Sequence, residues 1–104
     1  MSKKISKAKA RKMADKFKKN GKGVHSAMFA ADQFETLLKQ SNCKGIRVYN
    51  AYDEDKKHFT MFLVGTDANG NNLLPSSDDL IEGEEYSIEN DSKTCPPDCP
   101  PNDL

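Results

Sequence analysis

Two segments with alternating apolar residues, separated by a short polar stretch, constrain the fold most. The segments are GIRVYNAY and HFTMFLVG, and DEDKK joins them. Alternation at every second residue is typical of strands with one buried face, and a short polar connection suits a hairpin. We therefore predict antiparallel strands over residues 45–52 and 58–65. DANGNN predicts a further turn, and NLLP predicts a short third strand at the sheet edge that stops at Pro75.

Before these strands, apolar residues recur with a helical period. SKAKARKMADKFKKNG predicts a first helix with Ser6 as its N-cap and Asn20-Gly21 as a stop able to adopt positive φ. A second helix is predicted from about Ser26 or Phe29 to Gln40, because its apolar residues share one face. GKGVHS between the two helices predicts a flexible joint.

The apolar faces of these elements predict a small core. Val, Ile, Leu and Phe make up only 19 of the 104 residues, slightly below the share of about one fifth under which chains often stay unfolded. Such a polar chain often gains stability from a partner, a metal or a disulfide. The predicted core residues are Phe34, Leu37, Leu38, Ile46, Val48 and Leu63.

Together these elements predict an α+β fold in which two N-terminal helices pack on a small antiparallel sheet. The sheet would consist of the hairpin and a short third strand. The predicted units are a basic helix at 1–22, a helix and β-hairpin core at 23–75, and an acidic, largely irregular tail at 76–104 that ends in Pro and Cys residues.

The net charge is zero, but the charges are segregated along the chain. Residues 1–22 hold ten Lys or Arg against one Asp, and residues 67–104 hold ten Asp or Glu against one Lys. Opposite charges at the two ends favour contact within one molecule or between copies. The candidate anion- or partner-binding residues are Lys3, Lys4, Lys7, Lys9, Arg11, Lys12, Lys16, Lys18 and Lys19.

The lysine-rich start MSKKISKAKARK is not followed by the apolar run of a secretory signal, and the apolar segments are too short to cross a bilayer. This pattern predicts a cytoplasmic protein without a membrane partner. Thiols stay reduced in that compartment, and three cysteines leave one unpaired, so structural disulfides are not expected.

Two of the cysteines lie in the terminal segment CPPDCPPNDL. If Pro96 and Pro97 hold the chain extended at about 3.1 Å per residue, Cys95 and Cys99 lie on the order of 12 Å apart, too far for a disulfide. We therefore expect a solvated or partner-binding tail. Two alternatives stay open: a turn or cis prolyl bond that allows a disulfide or redox pair, and a metal site built on the two thiolates. The candidate metal ligands are Cys95, Cys99, Cys43 and His25, with His58 as the other histidine.

The segment LLKQSNCKGIRVYNAYDEDKKHFTMFLVGTDANGNNLL, followed late in the chain by CPPDC, resembles a family of small uncharacterised bacterial proteins. The shared features are a helix ending near Cys-x-Gly, a GIR-x-Y strand, a strand closing on VG-x-D-x-x-G, and a terminal Cys-Pro-Pro-x-Cys. They cover residues 25–75 and 95–99. The resemblance implies the order of the elements and no particular activity.

No spacing of nucleophile, base and acid residues points to catalysis, so the sequence predicts a non-enzymatic protein without a cofactor. The predicted function is a binding or assembly module that acts through the basic helix and the acidic segment, with a protein partner or by self-association. One alternative is a nucleic-acid or ribosome-associated protein that uses the basic helix to contact phosphates. The other is a thiol-based metal-binding or redox protein.

Overall fold

The computed structural model describes residues 3–21 and 24–104, so Lys22 and Gly23 of the predicted joint lie outside the described residues. The helices are α1 (Lys7–Asn20) and α2 (Ala31–Leu38). The strands are β1 (Ser26–Met28), β2 (Gly45–Asp53), β3 (His58–Thr66), β4 (Ile88–Asn90) and β5 (Lys93–Cys95). Strands β2, β3 and β4 form one antiparallel sheet in that order, and β1 and β5 form a second. The α+β class is confirmed, with two sheets in place of one.

Helix α1 begins as the sequence predicts. The Ser6 side chain accepts a hydrogen bond from the Lys9 amide at 3.1 Å, which satisfies one of the free donors of the first turn. The end of the helix differs from the prediction, because Gly21 is extended, with φ at −91°. A Cβ at this position would lie 2.7 Å from the Phe17 carbonyl oxygen. Glycine is therefore needed here for close approach and not for positive φ.

The antiparallel hairpin forms from the predicted segments, and each strand is one residue longer than predicted. β2 and β3 pair from Gly45 with Thr66 to Asp53 with His58. At the turn, the Asp53 carboxylate accepts hydrogen bonds from the amides of Asp55 and Lys56 at 3.0 and 3.2 Å. Such a local side-chain cap stabilises the reversal of the chain.

The third strand of this sheet comes from the acidic segment and not from NLLP. β4 pairs with β3 at residues 62–64, and it occupies the edge of β3 that a strand at 73–75 would need. The segment after the turn forms only an isolated bridge between Thr66 and Asn72. Residues 76–104 supply both β4 and β5, so this segment contributes to the fold although most of it is irregular.

The second helix is shorter than predicted. Residues from Ser26 to Met28 are extended and pair with β5, so the helix begins only at Ala31. The Gln33 side-chain oxygen accepts a hydrogen bond from the Ala30 amide at 2.8 Å and closes the first turn. Residues 26–28 therefore form a strand with β5, although their local sequence pattern also suits a helix.

The core is smaller than predicted. The buried apolar side chains are Leu37, Leu63, Val64 and Cys95. The predictions for Leu37 and Leu63 are confirmed, and Ile46 is half-buried. The predictions for Phe34, Leu38 and Val48 are wrong, because all three are exposed. An eight-residue helix contacting β2 and β3 covers only part of the sheet, and Val48 lies on β2 at its edge.

The two helices attach differently to the rest of the molecule. α2 contacts β2 and β3, whereas α1 has no buried residue, so the predicted packing of both helices on one sheet is not confirmed. Within residues 3–21 and 24–104, no helix is both long and apolar enough to span a bilayer.

Candidate functional site

The pairing of β1 with β5 places the segment that follows α1 beside the C-terminal segment. Ser26 is opposite Cys95, and the His25 amide donates a hydrogen bond to the Cys95 carbonyl oxygen at 2.9 Å. The backbone thus places the His25 side chain beside the first cysteine of the terminal segment.

The terminal segment turns back on itself after β5. The Cys95–Pro96 and Pro96–Pro97 peptide bonds are cis, and the Asp98 amide donates to the Thr94 carbonyl oxygen at 2.8 Å. The Cα atoms of Cys95 and Cys99 are 4.6 Å apart, and their sulfurs form a disulfide. The expectations of an extended tail and of free cysteines in it are therefore wrong. The alternative in which a turn brings the sulfurs together describes the structure.

A second turn brings a carboxylate to the disulfide. The Asp103 amide donates to the Pro100 carbonyl oxygen at 3.2 Å, and the Asp103 carboxylate lies 3.6 Å from the Cys95 sulfur. Lys18 of α1 reaches the same carboxylate at 3.2 Å and also contacts the carbonyl oxygen of Leu104. Lys18 thus connects the basic helix to the end of the chain.

His25 lies between the sulfurs and the carboxylate. Its Nε2 atom is 3.2 Å from the Cys95 sulfur and 4.0 Å from the Cys99 sulfur. The same atom is 3.7 Å from Asp103 Oδ2. One nitrogen therefore lies within reach of the Asp103 carboxylate and, once the disulfide is reduced, of a sulfur that can carry a proton.

The two sulfurs differ in exposure. Cys95 is 2% exposed and belongs to the core, whereas Cys99 is exposed. The side chains of His25 and Asp103 are 20% and 28% exposed. A reagent from solvent can therefore reach Cys99 more easily than Cys95.

Lys18 also sets the charge of Asp103. Its hydrogen bond is the main cause that lowers the pKa of the Asp103 carboxyl, and its positive charge acts in the same direction against desolvation. Asp103 is therefore anionic at neutral pH, beside one cation and two sulfurs.

Three of the four candidate metal ligands from the sequence come together here: His25, Cys95 and Cys99. Cys43 does not join them. Its sulfur lies 3.3 Å from the Gly45 carbonyl oxygen and 3.0 Å from the place of a Cβ on Gly65, so it packs beside β3. His58 is exposed at the start of β3.

Sequence reasoning missed Asp103. The usable signal was its spacing, because Cys95, Cys99 and Asp103 recur at every fourth position with a Pro-Pro pair in each interval. Two successive turns of similar sequence can return each of these side chains to the same place.

All nine candidate cations of the N-terminal segment are exposed. Within the part of the chain that the structure describes, Lys18 is the member of this group that forms an ion pair. The predicted contact between basic helix and acidic segment is thus represented by one pair, with the remaining positive charge facing solvent.

Comparison with family models, with curated proteins and with solved structures finds no match. The resemblance described from the sequence stays a prediction.

Proposed function

We propose that this protein is a thiol switch in which the bond between Cys95 and Cys99 is reversibly made and broken. The observation that carries the proposal is the buried Cys95 sulfur, 3.2 Å from His25 Nε2 and bonded to an exposed partner. An asymmetric disulfide beside a proton donor suits exchange with a thiol from solvent.

The exchange begins at the exposed sulfur. The thiolate of a small monothiol, of the glutathione class, attacks Cys99 and forms a mixed disulfide, while the Cys95 sulfur leaves with the bonding electron pair. A second monothiol then attacks the sulfur of the first reductant, and Cys99 leaves as a thiolate. Two monothiols become one disulfide, and the protein gains two electrons and, after protonation of its sulfurs, two protons.

His25 assists the step in which Cys95 leaves. An imidazole N–H beside the departing sulfur stabilises the thiolate, and a leaving thiol with a lower pKa leaves faster. In the reverse direction the same contact favours the Cys95 thiolate.

Thiol labelling followed by mass measurement tests this function. After air oxidation, Cys43 alone should accept label, and it should do so when the protein is unfolded. After prior reduction, all three thiols should accept label in the unfolded protein. Native labelling of Cys95 and Cys99 without a reductant would contradict the proposal.

The contribution of His25 is measured by the rate of reduction. His25→Ala should slow reduction by glutathione about 10-fold, because the leaving thiolate loses its hydrogen-bond donor. His58→Ala is the matched control, since His58 is the other histidine and lies at the start of β3. Equal rates in both variants would remove His25 from the mechanism.

A second candidate function is binding of an acidic protein surface by α1, including that of another copy. It is favoured by the absence of buried residues in α1 and by the pair of Lys18 with Asp103, which is an example of such a contact. Sedimentation at low and high salt should then reveal an assembly that dissociates as salt is raised. Co-purified nucleic acid, seen by its ultraviolet absorbance, would instead favour the nucleic-acid alternative.

A further inference from the structure

We infer that the reduced protein binds one zinc ion through Cys95, Cys99, His25 and Asp103. The inference extends the proposed function, because the two sulfurs become metal ligands only when the disulfide is open. One atom from each of these residues lies within 4.8 Å of the others. The carboxylate makes this a complete set of four ligands, which the two cysteines and His25 alone do not supply.

Four of the six distances between the ligand atoms lie near those of a tetrahedral zinc site. Zinc lies about 2.3 Å from sulfur and about 2.0–2.2 Å from nitrogen or oxygen, so neighbouring ligand atoms are separated by roughly 3.3–3.8 Å. His25 Nε2 lies 3.2 Å from the Cys95 sulfur and 4.0 Å from that of Cys99. Asp103 Oδ2 lies 3.6 Å from the Cys95 sulfur and 3.7 Å from His25 Nε2.

The two bonded sulfurs are too close for this geometry, and the Cys99 sulfur lies within 4.8 Å of the Asp103 carboxylate. Reduction breaks their bond, and they then need to separate to about 3.8 Å, the spacing of two thiolates on one zinc ion. The exposed position of Cys99 leaves room for that movement, while Cys95 stays fixed by the pairing of β1 with β5.

The chemistry of the ligand atoms selects the metal. Two sulfurs and an imidazole favour zinc over magnesium or calcium, which prefer oxygen ligands. Four protein ligands leave no position for water, so the site is of the structural type. On binding, the two thiols lose their protons to solvent, and the ion meets two thiolates, one carboxylate and one neutral imidazole.

Lys18 completes the charge balance. Three negative ligands exceed the charge of the ion by one, and the Lys18 ammonium, 3.2 Å from Asp103 Oδ2, offsets this excess. A partner that holds a ligating carboxylate typically changes metal affinity by about 10–100-fold when removed. Lys18 is thus a positioning residue, and it connects α1 to the metal site.

The experiment compares reduced and oxidised full-length protein in competition with a chromophoric zinc chelator. The reduced protein should bind one zinc ion per chain, and the oxidised protein none. Cobalt in place of zinc should show the visible absorption of a tetrahedral site and a thiolate-to-cobalt band in the near ultraviolet. Equal binding by both forms, or no binding by the reduced form, would overturn the inference.

Variants assign the ligands. Cys95→Ser should abolish binding, but Cys95 is buried and this variant can also unfold. Asp103→Asn, on the surface, should lower affinity at least about 10-fold and alter the cobalt spectrum, while Cys43→Ser should change neither. Lys18→Ala should weaken binding about 10-fold and Lys19→Ala should not. A Cys43→Ser variant that loses zinc, or an Asp103→Asn variant that keeps full affinity, would overturn this ligand set.

The two proposals fail separately. If the disulfide opens and closes but the reduced protein does not bind zinc, the thiol-switch proposal stands and the metal-site inference fails. If the protein binds zinc but its thiols do not form a disulfide on air oxidation, the metal-site inference stands and the thiol-switch proposal fails.

Discussion

At the scale of single residues, burial differs sharply between neighbours on α2. Leu37 is 0% exposed, whereas Leu38 is 53% exposed. Both residues are leucines at adjacent positions of the helix. Comparing the same substitution at each position therefore separates the effect of burial from that of helix propensity.

We expect Leu37→Ala to lower the free energy of unfolding by roughly 2–5 kcal/mol, because it removes buried apolar contacts and leaves a cavity. Leu38→Ala should lower it by less than about 1 kcal/mol. Urea unfolding of both variants measures the difference. Equal losses would show that α2 does not cover the sheet through Leu37.

At the scale of elements, the loop between Ser76 and Glu84 is closed by one carboxylate. Glu84 accepts hydrogen bonds from the amide and hydroxyl of Ser76 at 3.2 and 3.0 Å, and from the Ser77 amide at 3.0 Å. The bonds from Ser76 are the main cause that lowers the pKa of Glu84 below the usual 4.5. The charged form of Glu84 therefore holds the loop ahead of β4.

This lowered pKa predicts a pH dependence. Because the pKa of Glu84 is lower in the folded protein, its contribution to stability is complete above the unfolded pKa and is lost as pH falls through the folded value. The stability difference between the wild type and Glu84→Gln should therefore shrink on acidification from about pH 6 to about pH 3. Glu82→Gln is the control in the same loop, and the prediction fails if both variants show the same pH profile.

At the scale of the whole molecule, α1 makes few contacts with the other helices and strands of the described chain. It has no buried residue, and Lys18 holds it to the terminal turn through Asp103. Exposed ion pairs of this kind contribute little individually and are weakened by salt. The basic helix can therefore separate from the rest of the fold at low cost.

We expect amide hydrogens of α1 to exchange faster than those of β3, and faster still at high salt or in Lys18→Ala. Lys19→Ala, which keeps the contact with Asp103, should leave exchange unchanged. Hydrogen exchange followed by mass spectrometry measures each region separately. Protection of α1 equal to that of β3, and independent of salt, would show that the helix is docked by contacts other than this pair.

The sequence by itself determined the features that depend on near neighbours in the chain. Ser6 caps α1 through the amide of Lys9, three residues away, and the hairpin is set by two alternating strands joined through the Asp53 turn. The interactions that select these structures lie within short windows, where spacing and turn chemistry are sufficient evidence.

Only the tertiary structure decided the features that join distant segments. Ser26 pairs with Cys95, and Lys18 meets Asp103, across most of the chain. Short strands carry little register information of their own, so a local pattern does not identify their partners. The pairing of β1 with β5 shortened α2 and brought His25 beside Cys95, whereas the pairing of β4 with β3 placed the third strand in the acidic segment. The sequence shows that residues able to form a thiol or metal site are present. Whether these residues lie close together depends on long-range contacts in the folded protein.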